Sequence, residues 1–228
     1  MDLPGGKGYL GPWLQGNPLA ERNGRFAIAS VMSMKNICSR CRRVFGLACL
    51  VILALNPAFA GVQIGQRVTG MRLADSEGRS HSLDEYAGKI LVLEFWSFKC
   101  PVSLAYDARV AALLSKYRGR GVSFLAVASN RNESPIEVRR NAENLKLPVP
   151  VLLDREGFLA DRLGATHSPS VMILDGSGIL RYRGAIDNNK HEGERGRIAY
   201  VEQALDAILA GQPVPSAETQ PFGCGIRR

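Results

Sequence analysis

The chain has 228 residues, enough for one domain with appendages or for two small domains. An apolar fraction of 46% excludes a disordered or collagen-like chain. The formal charge of +8 raises a nucleic-acid or membrane reading that depends on where the charges lie, and five scattered cysteines make neither a disulfide-stapled miniature nor a paired C-x-x-C zinc site.

Residues 1–33 hold Pro4, Pro12, Pro18 and several glycines without any apolar period. They read as a non-native or disordered leader, with translation starting at Met32 or Met34, or else as a long n-region. Residues 34–60 carry Lys35, Arg40, Arg42 and Arg43, then an apolar run from Val44 to Leu55, then Ala58-Phe59-Ala60. That order describes a secretory signal peptide cleaved after Ala60. The apolar run is shorter than the about 20 residues of a membrane-spanning helix, so membrane association is expected only if the signal stays uncleaved. The expected location is exported, periplasmic or secreted. Seven of the basic and two of the acidic residues fall in these first 60, leaving 22 against 19 in the remaining 168. The basic excess is largely a property of the targeting segment, and no patch of Lys and Arg interleaved with aromatics remains to bind nucleic acid. Cys38, Cys41 and Cys49 leave with the signal, so Cys100 and Cys224 remain, in an oxidising compartment.

From residue 61 the pattern alternates strands and helices. Arg67–Leu73 and Arg79–Leu83 flank the turn D-S-E-G, which predicts a short hairpin. Ile90–Trp96 is an apolar run expected of a central strand buried on both faces. Pro101–Tyr117 is helical, with Pro at the first turn, and Val122–Ala128 is a second buried strand. Ser134–Leu147 opens S-P-I-E, a helix start. Val149–Leu153, a short helix Phe158–Leu163, the strands Val171–Leu174 and Ile179–Tyr182 joined by D-G-S-G, and a closing helix Ile198–Leu209 complete the domain. This predicts one α/β domain over 61–211 with a mixed central β-sheet flanked by helices. A tail over 212–228, with Pro213, Pro215 and Pro221, carries Cys224 as an ordered or flexible extension.

The chemistry concentrates at E-F-W-S-F-K-C-P-V-S, Glu94 to Ser103. Cys100 falls at a helix N-terminus, where free backbone N–H groups and the helix dipole favour a thiolate nucleophile. The bland alternative is a small buried hydrophobe.

Phe95 to Ser103 resembles the thioredoxin-type F-W-A-x-W-C-x-P-C, with Cys100 at the attacking cysteine and Ser103 where the second cysteine usually stands. Ser168-Pro169-Ser170 before V-M-I-L-D is similar to the cis-proline loop of that superfamily. The resemblance covers about residues 62–211 and implies a thioredoxin-like fold with Pro169 cis. Because Ser103 replaces a cysteine, the C-x-x-C dithiol is missing. Ser97-x-x-Cys100-Pro101 instead resembles the peroxiredoxin signature, although Leu93 stands where that signature has a proline. The ending Pro221-Phe222-Gly223-Cys224-Gly225-Ile226 is similar to that of the peroxiredoxin-like redoxins related to the alkyl hydroperoxide reductase and thiol-specific antioxidant family.

This resemblance implies an exported thiol-dependent oxidoreductase, peroxidase-like and antioxidant. Cys100 attacks peroxide, and Cys224, on a tail that swings over the active edge, captures the sulfenic acid. The alternatives are a thiol–disulfide oxidoreductase acting on exported proteins, and a non-catalytic binding module with a static Cys100–Cys224 bridge. Ser97 is a donor to peroxide or thiolate, or a turn cap. Glu94 resembles the buried acid of thioredoxins, or is a satisfied strand carboxylate. Trp96, Pro101, Ser103, Ser168 and Pro169 support the site. No metal and no cofactor is expected, although His167 stands near enough in sequence to the cis-proline motif to be an acid or a copper ligand. Arg139 and Arg140 read as helix surface, and His81 and His191 as surface residues. The expected partners are a peroxide or disulfide substrate and an unidentified thiol electron donor, with no nucleic acid.

Overall fold

A computed structural model describes residues 61–189 and 196–228 of the chain. The segments 1–33 and 34–60, and His191, therefore lie outside the described residues. The elements in chain order are a hairpin of β1 (Arg72–Ala74) and β2 (Ser80–Ser82), a 3-10 turn (Leu83–Tyr86), β3 (Ile90–Phe95), α1 (Pro101–Tyr117), β4 (Val122–Ala128) and α2 (Pro135–Asn144). They continue with β5 (Val151–Leu153), α3 (Phe158–Leu163), β6 (His167–Ser168), β7 (Ser170–Leu174), β8 (Leu180–Gly184), α4 (Tyr200–Leu209) and β9 (Cys224–Gly225).

Five strands form the main sheet in the order β5-β4-β3-β7-β8. β3 runs parallel to β4 and antiparallel to β7, so the sheet is mixed, as the sequence pattern predicts. The apolar run of β3 has the physical consequence expected of a central strand: all six residues are buried. Its side chains alternate between two cores. Leu91, Leu93 and Phe95 pack with α3 and the N-terminal hairpin region, and Ile90 and Val92 pack with α1 and α4. A third cluster, around Trp96, Ala126, Val138 and Val151, seats α2.

Local chemistry sets the helix starts. Ser134 caps α2 in a full capping box with Glu137, and Pro135 opens the helix where an N–H would have no partner. α1 begins with Pro101 directly after Cys100, its N-cap residue, which places the cysteine at the junction of central strand and helix.

Two expectations change. His81 is not a solvent-facing residue: its ring is held between the Asp75 carboxylate at 2.9 Å and the Tyr86 hydroxyl at 3.0 Å. Of the ordered and flexible alternatives for the tail, the structure shows the ordered one, with the tail already seated over the site. Ala217 and Thr219 exchange backbone hydrogen bonds with Arg183 on the edge strand β8, and Gly184 lies so close that a Cβ there would overlap Thr219. Further on, β9 pairs antiparallel with β6, His167 opposite Gly225 and Ser168 opposite Cys224. Arg139 does sit on the helix surface, paired with Glu143.

Candidate active site

The site lies where β3 ends and α1 begins. Cys100 is 1% exposed. Its Sγ donates to the carbonyl of Ser168 at 3.1 Å, across the Ser168–Pro169 peptide, which is cis. Cys224, on β9, lies opposite Ser168, the residue whose carbonyl accepts from the Cys100 thiol, and both cysteines are free thiols. The neighbouring Cys100 side chain, then burial, push the Cys224 thiol up to about 11, against the favourable charge of Arg227. Residues 124 apart in sequence thus meet at the same cis-proline loop.

The loop that carries Cys100 is fixed from three sides. The backbone N–H of Ser97 donates to the fully buried Ser103 hydroxyl at 3.2 Å, so the residue standing in place of the second cysteine serves as a loop anchor. The Ser97 hydroxyl donates to Glu133 Oε1 and accepts from the backbone N–H of Lys99 at 3.2 Å. Its proton points at a carboxylate and not at Cys100. Cys100 N–H in turn donates to the Ser97 carbonyl at 3.3 Å.

Beneath the loop sit a buried acid and a half-buried one. Glu94, on β3, is 5% exposed and its Oε1 has no hydrogen-bond partner. Burial, followed by the charge of Asp107, pushes its carboxyl up to about 8. Asp107, two turns along α1 from Cys100, is pushed up to about 6 by burial, partly offset by a hydrogen bond from Trp96 Nε1 at 3.1 Å. A buried carboxyl lacking a partner is held in its neutral form, able to give or take a proton near neutral pH.

Other residues emerge only from the structure. Glu133 is buried, its Oε2 unpartnered, and burial pushes its carboxyl up against the hydrogen bonds from Ser97 and Lys99. No sequence signal marks it, because its contact with Ser97 spans 36 residues. Asp107 was discoverable, since seven residues after Cys100 puts it on the same face of the helix. Asn130 and Arg131 hold the tail just past the cysteine: Asn130 Oδ1 accepts from the Arg227 N–H at 2.8 Å, and the Arg131 N–H donates to the Arg227 carbonyl at 2.9 Å. His167 turns Nδ1 to the Thr166 hydroxyl at 2.9 Å, and among the described residues no three metal-ligating side chains form a group able to hold a metal ion.

With this geometry in place, comparison with known proteins becomes specific. A family model described as the AhpC/TSA family matches residues 64–183. The chain belongs to the AhpC/TSA family. Among curated relatives, the thiol-disulfide oxidoreductase ResA of Geobacillus thermodenitrificans strain NG80-2 is 31% identical over 120 residues, covering 53% of this chain and 68% of that protein. Two solved structures align with a TM-score of 0.66: an uncharacterized conserved protein from Geobacillus kaustophilus, 26% identical over 74% of this chain and 94% of that one, and a hypothetical protein from Sinorhizobium meliloti 1021, 25% identical over 73% and 95%. The fold of this AhpC/TSA member is thioredoxin-like, and it is a thiol-dependent oxidoreductase.

Proposed function

We propose that this protein is a thiol–disulfide oxidoreductase of an exported compartment whose redox centre is the Cys100–Cys224 pair. The observation that carries the reading is that Cys100, at the start of α1, and Cys224, on β9, are brought to the same residue of the cis-proline loop: the Cys100 thiol donates to the Ser168 carbonyl and Cys224 pairs opposite Ser168. Each turnover exchanges two electrons: the dithiol becomes a disulfide as a partner disulfide becomes two thiols. Its relatives named as thiol-disulfide oxidoreductases support this reading over a peroxidase. So does Ser97, whose hydroxyl is committed to Glu133 where a peroxide-binding role requires it free. Glu94, neutral up to about pH 8, is the proton carrier for the thiol under this proposal. The signal-like segment ahead of residue 61 supports export, and a thiol partner in that compartment closes the cycle.

Stopped-flow kinetics of the fully reduced protein with a small aromatic disulfide and, separately, with hydrogen peroxide test the assignment. The expected result is rapid, stoichiometric disulfide consumption yielding the Cys100–Cys224 bond, and slower reaction with peroxide. Faster oxidation by peroxide with a sulfenic acid at Cys100 would establish the peroxidase instead.

A further inference from the structure

The two sulfurs are not equivalent to a molecule approaching from solvent. Cys100 is 1% exposed, roofed by the Ser168 carbonyl and by Cys224 itself, while Cys224 is only half-buried. The strand that bears Cys224 is tied down on both sides. Before it, Phe222 packs edge-on against Tyr106, and Gly223 runs so close to the cis-proline loop that a Cβ would overlap the Ser168 carbonyl. After it, Ile226 donates to the Thr166 carbonyl at 2.9 Å, Arg227 is held by Asn130 and Arg131, and Arg228 reaches Asp161 at 2.8 Å and the Ala165 carbonyl at 2.9 Å. Cys224 therefore stays over Cys100.

We infer that the sulfur which exchanges with outside partners is Cys224, and that Cys100 is its buried internal counterpart. This rests on the Cys100–Cys224 pair being the redox centre. The argument is stereochemical. A thiolate attacks a disulfide along the axis of the bond it breaks, from the side opposite the leaving sulfur. For attack on Cys100 that side is the protein interior, because Cys224 occupies the outer side. For attack on Cys224 it is solvent.

The electron flow agrees. An external thiolate bonds to Cys224 Sγ as the Cys100–Cys224 bond breaks, and the electron pair departs on Cys100 Sγ, at the end of α1 where backbone N–H groups and the helix dipole receive negative charge. A second external thiolate then attacks the partner's sulfur of the mixed disulfide. It releases the partner disulfide and the Cys224 thiolate, and Cys224 and Cys100 each take up a proton from water, replacing the two given up by the external thiols. Two external thiols are oxidised and one protein disulfide reduced. In the reverse direction Cys224, its proton lost to water, attacks a partner disulfide and expels one partner thiolate; Cys100, its own proton lost as it attacks Cys224 Sγ, then closes the Cys100–Cys224 bond and expels the second. This inverts the order set by the thioredoxin-like motif, in which the cysteine at the helix start is the one that meets the substrate.

The full-length protein, oxidised with a disulfide reagent and freed of it, is mixed with reduced glutathione, quenched in acid within the first turnover and alkylated at low pH. Peptide mapping is expected to find glutathione on Cys224 and the alkyl group on Cys100. Glutathione on Cys100 with Cys224 alkylated overturns the inference while leaving the redox pair intact. Failure of the oxidised protein to contain any Cys100–Cys224 disulfide before glutathione is added removes the pair, and the inference with it.

Discussion

Glu94 is a carboxyl inside the core with one oxygen unpartnered, and its consequences are felt in stability as well as in proton transfer. Its folded pKa lies near 8 and its ordinary value at 4.5, so between those pH values the folded protein holds a proton that the unfolded chain has lost. Stability then falls as pH rises through this window, by about 1.4 kcal/mol for each pH unit crossed. Asp107 adds a smaller effect of the same sign between 3.8 and about 6. Glu94→Gln removes the titration while keeping the shape: urea unfolding at pH 5 and pH 8.5 is expected to show wild type losing stability between the two and the variant losing less, so that the variant is the more stable at pH 8.5. Ser97 gives a second residue-scale test. Ser97→Ala strips Glu133 of its hydroxyl donor and is expected to cost about 1–3 kcal/mol in the same assay. Such a loss follows from Ser97 anchoring the loop.

At the scale of elements the decisive piece is the two-residue strand β9. Gly223 adopts φ 137°, a region that side-chain-bearing residues avoid, and any Cβ there meets the Ser168 carbonyl. Gly223→Ala is expected to lift β9 from β6, at a strain cost of about 1–3 kcal/mol, and to slow closure of the Cys100–Cys224 disulfide in quenched-alkylation kinetics. Unchanged closure would mean that β9 does not hold the cysteine in place. This element was also the hardest to read in advance. β3 announces itself by an unbroken apolar run and α2 by its S-P-I-E start, because burial on two faces and helix capping leave local marks. β9 has no such mark. Its two residues form a strand only through pairing with β6, 56 residues earlier in register from Cys224 to Ser168, and its Pro and Gly content leaves an ordered and a flexible extension both open. Cys100 was legible from its place between a strand and a proline. The Glu133 contact that fixes its loop was not, since a lone acid in a connecting loop carries no periodicity.

For the whole molecule, the tail that carries Cys224 to the end of the central strand is braced by a second buried network. Asp187 is fully buried and bonded by Arg197 at 2.8 Å, by Arg109 at 3.2 Å and by the Tyr106 hydroxyl at 2.6 Å, and Tyr106 in turn supports Phe222 just before Cys224. Removing one member of a buried charge network leaves the others unpaired, so Asp187→Ala is expected to lower stability by about 3–5 kcal/mol and to loosen the tail with it, read as faster amide exchange at residues 222–227. The chemistry resides in two sulfurs brought together by the ends of one strand, one helix and one tail. Equilibration of the purified protein in dithiothreitol buffers of graded redox ratio, followed by acid quench, alkylation and mass spectrometry, tests that most directly. The expected result is one two-electron transition between the free dithiol and a Cys100–Cys224 disulfide, lost in either Cys→Ser variant; cysteines that remain reduced in the most oxidising buffer, or a bridge that persists in the most reducing one, would contradict it.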